Sequence, residues 1–389
     1  MVGFVIKVIS AILFGYLYKS RTLSGGDTFM YFDDADIVYQ TLKIDPFIYL
    51  KLTIGTNDFT PVPSYLLPYT DAMHFWFDSS NYFLVRINAI IRLFSMGVYN
   101  IHAIVFAFLS FIGTYTLYLF FVDKVYSKKM LQFILFGIPS IVFWTSGVHK
   151  EAIVIFALGI ILYNLDKILK MDYSKRHLFF SFFGLVVLGY TRIYVLAFLL
   201  PFMGAIIMYK RYNSVKASIR LFVLVAFGLT FSAVLFDFFS DKHSLVYEFM
   251  VRRTYFLNSP GNMTFQVAEI PHNIQGVLML LWEAIINPFI RPLPSDCNIF
   301  WAYLASIENY LLLFVLMILI ITANKKSIYN NPYAVFSILF GLSILFLIGL
   351  IVNNSGAIVR YRSIAIPFIL IGFCLKGKET KISSLFSKN

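Results

Sequence analysis

Four aspartates, Asp27, Asp33, Asp34 and Asp36, fall within ten residues in the segment Ser24-Gly-Gly-Asp-Thr-Phe-Met-Tyr-Phe-Asp-Asp-Ala-Asp36. Carboxylates grouped in this way can take a proton from a hydroxyl group or hold a divalent cation. If Thr28 to Leu42 is helical, Asp33 and Asp36 share a face at i, i+3. Asp27 then sits near the helix N-terminus, where it can cap. A capped, solvated amphipathic helix would use the same residues without any chemistry, and spacing alone does not separate the two. On the catalytic reading, Asp27 and Asp34 are the preferred pair.

A second ionisable cluster, His149, Lys150 and Glu151, follows Trp144 after a Thr-Ser-Gly turn. Ionisable groups at the mouth of an apolar run are costly unless paired or wet, which points to function. A Lys150/Glu151 interface anchor is the bland alternative. Arg192 lies between two apolar runs, and Arg360 and Arg362 lie against the last one. Each guanidinium there needs an anionic partner, either a carboxylate or a lipid phosphate. Lys150 joins the three arginines as a phosphate-binding candidate, with His149, Glu151 and Arg291 in support. There is no P-loop, HExxH, GxSxG or Cys/His metal pattern. A nucleotide is therefore not expected, and the metal is left open, a divalent cation being the candidate. Cys297 and Cys374 have no motif spacing and are given no role.

The elements that must hold these residues are written in the composition. Of 389 residues, 59% are hydrophobic and 13% charged, and the apolar residues come in long runs separated by short basic clusters. Runs such as Ile101 to Val122, Leu221 to Phe239, Ile299 to Thr322 and Tyr333 to Val352 approach the roughly 20 residues that a helical span needs. Helices follow, because in lipid the backbone must satisfy its own polar groups. The expected fold is an all-α polytopic membrane protein, one integral membrane domain over residues 1–389 with about ten spans. Val2 to Tyr18 is taken as a retained anchor, since no small-x-small site precedes the polar segment and Lys19 and Arg21 follow it.

The net charge of +12 belongs mainly to clusters between the runs, so positive-inside bias accounts for it without nucleic acid. Placing those clusters in the cytoplasm puts both termini there. The outer face then receives residues 19–100, the tips Trp144 to Glu151 and Tyr190 to Arg192, residues 240–298, and Asn353 to Arg362. Parity allows only one crossing between Phe239 and Lys325. Gly276 to Ile290 is therefore expected to be re-entrant or interfacial, because it is short, contains Glu283 and ends in Asn287-Pro-Phe-Ile-Arg-Pro-Leu-Pro294. Tyr82 to Val98 reads as an interfacial helix whose Arg86 and Arg92 meet headgroups. Arg252, Arg253 and Arg291 add to an electropositive outer surface.

A long acidic first outer loop, short helical hairpins and outer-face arginines together resemble the GT-C superfamily of polyprenyl-phosphate-sugar-dependent glycosyltransferases. They also resemble polytopic proteins of bacterial surface-polysaccharide clusters, through Gly26-Asp-Thr-x-x-Tyr31, Pro139-Ser-x-x-Phe-Trp-x-Ser-Gly-Val-x-Lys-Glu151 and Asn354-Ser-Gly-x-x-x-Arg-Tyr-Arg362. The resemblance implies a bacterial cytoplasmic-membrane enzyme. It would move a sugar from a polyprenyl-phosphate-linked donor to a glycan or lipid-linked acceptor on the outer face. Carried over by position, Asp27, Asp33, Asp34 or Asp36 supplies the acid group, and Arg192, Arg360 and Arg362 form the phosphate clamp. A polysaccharide polymerase or ligase using lipid pyrophosphate-linked oligosaccharide, and a transporter or lipid flippase, are the alternatives.

Overall fold

The structure, a computed structural model, describes residues 1–21, 26–57, 61–170, 174–212, 253–254, 257, 263–265 and 274–375. Over these residues the chain is helical, with two isolated bridges and no strand. In order, the helices are α1 (Val2–Arg21), α2 (Gly26–Ile44), α3 (Pro46–Ile54), α4 (Leu67–Thr70), α5 (Ser79–Ser95), α6 (Tyr99–Phe121), α7 (Lys128–Phe136) and α8 (Pro139–Trp144). There follow α9 (Lys150–Leu169), α10 (Lys175–Thr191), α11 (Ile193–Tyr212), α12 (Ile274–Ile290), α13 (Phe300–Thr322), α14 (Lys325–Tyr329), α15 (Pro332–Ile351) and α16 (Ser355–Phe373). Among the described residues seven of them, α1, α6, α9, α11, α13, α15 and α16, are long and apolar enough to cross a membrane.

The stretch leading to the tip Trp144 to Glu151 is broken into α7 and α8, because Pro139 lacks an amide proton and starts a new helix. The stretch leading to the tip Tyr190 to Arg192 is α10, 17 residues long. The Leu221 to Phe239 run and most of 240–273 lie outside the described residues. The segment expected to re-enter is a continuous helix, α12, with Pro288 in its last turn.

The chain divides into two compact units, residues 1–120 with 135–196, and residues 121–134 with 197–389. In the first, α1 presents one buried stripe, with Lys7, Ala11 and Phe14 all fully buried. That stripe seats the segment after α8. Lys7 Nζ donates to Ser110 Oγ at 2.8 Å and to Thr145 Oγ1 at 2.9 Å, and the Phe14 ring meets Phe143, Trp144 and His149. Gly147 is required here, since a Cβ would lie 2.4 Å from the Phe14 ring.

α6 and α9 cross closely at Gly113 and Gly159. A Cβ on Gly113 would lie 2.3 Å from the Ile155 carbonyl oxygen, and one on Gly159 would lie 2.0 Å from that of Gly113. Both obstructions are backbone, so the helices would have to part. Gly159→Ala is expected to destabilise by about 1–3 kcal/mol, the usual cost of overpacking, read as a lower melting temperature in detergent. An unchanged melting temperature would mean that the crossing is looser than its geometry.

In the second unit, α15 and α16 pack along Gly341 and Gly372, with Phe336, Phe340 and Phe368 between them. Polar residues start both helices. The Asn331 side chain accepts from the Tyr333 and Ala334 amides, and that of Asn354 accepts from the Ala357 amide.

Candidate functional site

The acidic helix α2 starts at Gly26, whose φ of 63° lies in the left-handed region that glycine tolerates. Asp27 follows in the first turn, where a carboxylate suits the helix dipole. One turn on, Tyr31 is buried and its hydroxyl donates to Asn81 Oδ1 at 2.7 Å. Asn81 belongs to the first turn of α5, whose N-cap is Asp78. That carboxylate accepts from the Ser80 and Asn81 amides and from Asn81 Nδ2.

The tip that begins α9 faces these residues. His149 is the α9 N-cap, and Glu151 lies in the first turn. Both are buried, at 1% and 0% side-chain exposure. His149 Nδ1 makes a short contact with Glu151 Oε2, and Arg192 Nη2 donates to Glu151 Oε1 at 2.8 Å. On the other edge of the ring, Nε2 lies 3.7 Å from Asp27 Oδ2, and Asp27 is 46% exposed. The result is a chain of ionisable groups, Asp27, His149, Glu151 and Arg192, leading from the surface inward. Nδ1 also lies 3.0 Å from the Lys150 amide, and it can either donate to Glu151 or accept from that amide. Glu151 already accepts from Arg192 through its other oxygen, so donation from Nδ1 to Glu151 is the better assignment. Lys150 Nζ donates to Ser80 Oγ at 2.5 Å, and Ser80 Oγ lies 3.3 Å from the Thr191 carbonyl oxygen.

The structure therefore separates the four aspartates by environment. Asp27 is the one beside the α9 tip. Asp34 is fully buried and accepts from the amides of His74 and Phe75 and from His74 Nδ1, so it fixes the loop ahead of α5. Asp36 pairs with Arg92 at 2.5 Å. Asp33 is exposed, yet partial desolvation by its surroundings pushes its carboxyl above the ordinary range, with His74 opposing the rise and nearby Asp34 and Asp36 adding to it. Arg92 and Arg86, expected at headgroups, have partners within the chain instead, Asp36 and the Gly55 carbonyl.

In the second unit Arg360 donates to the Tyr361 hydroxyl at 2.7 Å. Arg362 is buried, its Nη1 within 2.5–3.2 Å of Asn309 Oδ1 and the carbonyl oxygens of Pro288 and Arg291. Arg192 belongs to the first unit, Arg360 and Arg362 to the second. Among the described residues no group of three or more His, Cys, Asp or Glu side chains is arranged to hold a metal ion.

Lys7, Asp78, Ser80 and Asn81 were not singled out for these roles by spacing. Asp78-Ser-Ser-Asn81 carries a helix N-cap signature, and Lys7 is a lone cation inside an apolar run. Those were the available signals. Comparison with known protein families, with curated proteins and with solved structures finds no match for this chain.

Proposed function

We propose that the chain is a multi-pass membrane glycosyltransferase with about ten spans and both termini cytoplasmic. It would move a sugar from a polyprenyl-phosphate-linked donor to a glycan or lipid-linked hydroxyl at the outer surface. The observation that carries this reading is the contact of Asp27, half-exposed, with the buried His149–Glu151–Arg192 chain.

Asp27 removes the proton from the acceptor hydroxyl as its oxygen attacks the anomeric carbon. The bond from that carbon to the phosphate oxygen breaks, and polyprenyl phosphate leaves with the electron pair. Lys150 and Arg192, on the two tips joined by the Arg192–Glu151 pair, stabilise the charge on the departing phosphate. The proton on Asp27 can pass to His149 Nε2, while Glu151 steadies the Nδ1 side of the ring. No nucleotide enters the reaction.

The test is release of polyprenyl phosphate by the purified protein in liposomes, supplied with labelled polyprenyl-phosphate sugars and a glycan acceptor but no nucleotide. Transfer of label to the acceptor is expected. No release from any donor would overturn the reading. Release of polyprenyl pyrophosphate from a lipid pyrophosphate-linked oligosaccharide would move the chain to the polymerase or ligase class.

A further inference from the structure

α12 ends at Asn287-Pro-Phe-Ile, and the chain turns through Arg291 to Cys297 before α13. Such a break frees carbonyl groups that must find donors. Buried side chains supply them. Arg362 Nη1 reaches the Pro288 and Arg291 oxygens, Asn309 Nδ2 those of Phe289 and Arg291, and Ser306 Oγ that of Pro292. Asp296 is held by Arg291 Nη1 at 2.6 Å, the Leu293 amide at 3.0 Å and Ser355 Oγ at 2.8 Å. Residues 263–265 are tied in from the other side, where the Phe265 amide donates to the Asn353 oxygen and the Ser355 amide to that of Met263.

This investment of buried polar groups holds open a cleft of about 400 Å³, lined by Thr264, Phe265, Arg291, Ser295, Asp296 and Asn298, among others. Arg291 is its centre. Of five guanidinium N–H groups, one serves Asn287 Oδ1 and one serves Asp296 Oδ1. The remaining three have no acceptor among the described residues, and the side chain is 16% exposed. The Phe265 ring covers one face of the guanidinium, with its centroid 3.6 Å from Cζ, so a ligand must meet the edge. Asp296 has three donors of its own and little accepting capacity left for a ligand. A cleft with surplus N–H donors, a hydroxyl and an amide on its wall suits a ligand with an oxyanion and hydroxyl groups.

We propose that this cleft binds an acidic sugar unit, a uronate or a sugar phosphate, through a bidentate contact from Arg291. Its place as the acceptor subsite rests on the transferase reading, but the binding itself does not. Calorimetry on the full chain in nanodiscs tests it with D-glucuronate, glucose 1-phosphate, inorganic phosphate and neutral glucose. Glucuronate or glucose 1-phosphate should bind at least about tenfold more tightly than glucose, because only they offer an oxyanion to the guanidinium's charge-assisted hydrogen bonds. Which of the two binds identifies the source of the oxyanion, and phosphate binding as well as either sugar would overturn the sugar part. Arg291→Lys keeps the charge without the fork and should weaken binding about tenfold. Because Arg291 also helps to hold the turn, Ser295→Glu is the second variant. It puts a like charge at the exposed lip and should abolish binding, while Ser295→Gln should retain it. Equal binding of glucose and glucuronate, unchanged binding in Ser295→Glu, or no binding of any probe at tens of millimolar would each refute the site. Binding without transfer activity in liposomes would leave the cleft standing and remove only the acceptor role.

Discussion

Replacing Glu151 by Leu is expected to lower stability by about 3–5 kcal/mol, the usual cost of removing one partner from a buried charge pair. The carboxylate is fully buried, and its two oxygens face His149 on one side and Arg192 on the other. Arg192→Met should cost a comparable amount, because it leaves the fully buried Glu151 carboxylate without its guanidinium. The informative measurement is the double variant. If the two groups stabilise mainly by answering each other, Glu151→Leu with Arg192→Met should lose less than the sum of the singles, by at least about 1.5 kcal/mol. Chemical denaturation in detergent reads all three. Strict additivity would mean that the pair does not act as a unit, and the inward chain from Asp27 would lose its support.

Asp27→Asn should behave in the opposite way. Its side chain is 46% exposed and lies 3.7 Å from the edge of the His149 ring, and Asn keeps its shape and much of its hydrogen bonding, so the melting temperature should change little. Sugar transfer should fall by about 10²–10⁴, the range over which a general base is worth something. Asp34→Asn and Asp36→Asn are the controls. Asp34 anchors two backbone amides, and Asp36 answers Arg92. Their loss should show first as instability, with the surviving folded protein still active. Full activity in Asp27→Asn would remove the general base from this helix.

What could be read in advance follows the range of each interaction. The helical class and the long apolar elements rest on local composition and the length of apolar runs, and these survive in the structure, as does a helix over the aspartates. So did the grouping of unusual polar residues at a few tips. The three short motifs occupy the two polar constellations, Gly26 to Tyr31 and Pro139 to Glu151 in the first unit and Asn354 to Arg362 in the second. The role of each residue within a motif was not legible, because the deciding partner is distant in sequence. Asp34 is occupied by amides 40 and 41 positions away, and Arg362 by carbonyls 71 and 74 positions away. No periodicity reports such a pairing. Nor does an arginine at the edge of an apolar run reveal whether its anionic partner is a phosphate or only the oxygens of a broken helix.

The partners of Lys7 also bear on how the protein is made. Ser110 and Thr145 lie 103 and 138 residues downstream. At about 5–20 residues per second of synthesis, the first helix waits roughly 7–28 s after Lys7 leaves the ribosome's active centre for Thr145 to be made. An unanswered lysine within a lipid-embedded helix is costly, up to roughly 2.5–3.5 kcal/mol at the helix centre by insertion scales, unless its stem snorkels to the interface. On the membrane reading proposed above, α1 cannot settle at its final depth until α6 and the segment after α8 have been made, which gives the nascent chain a built-in order of assembly.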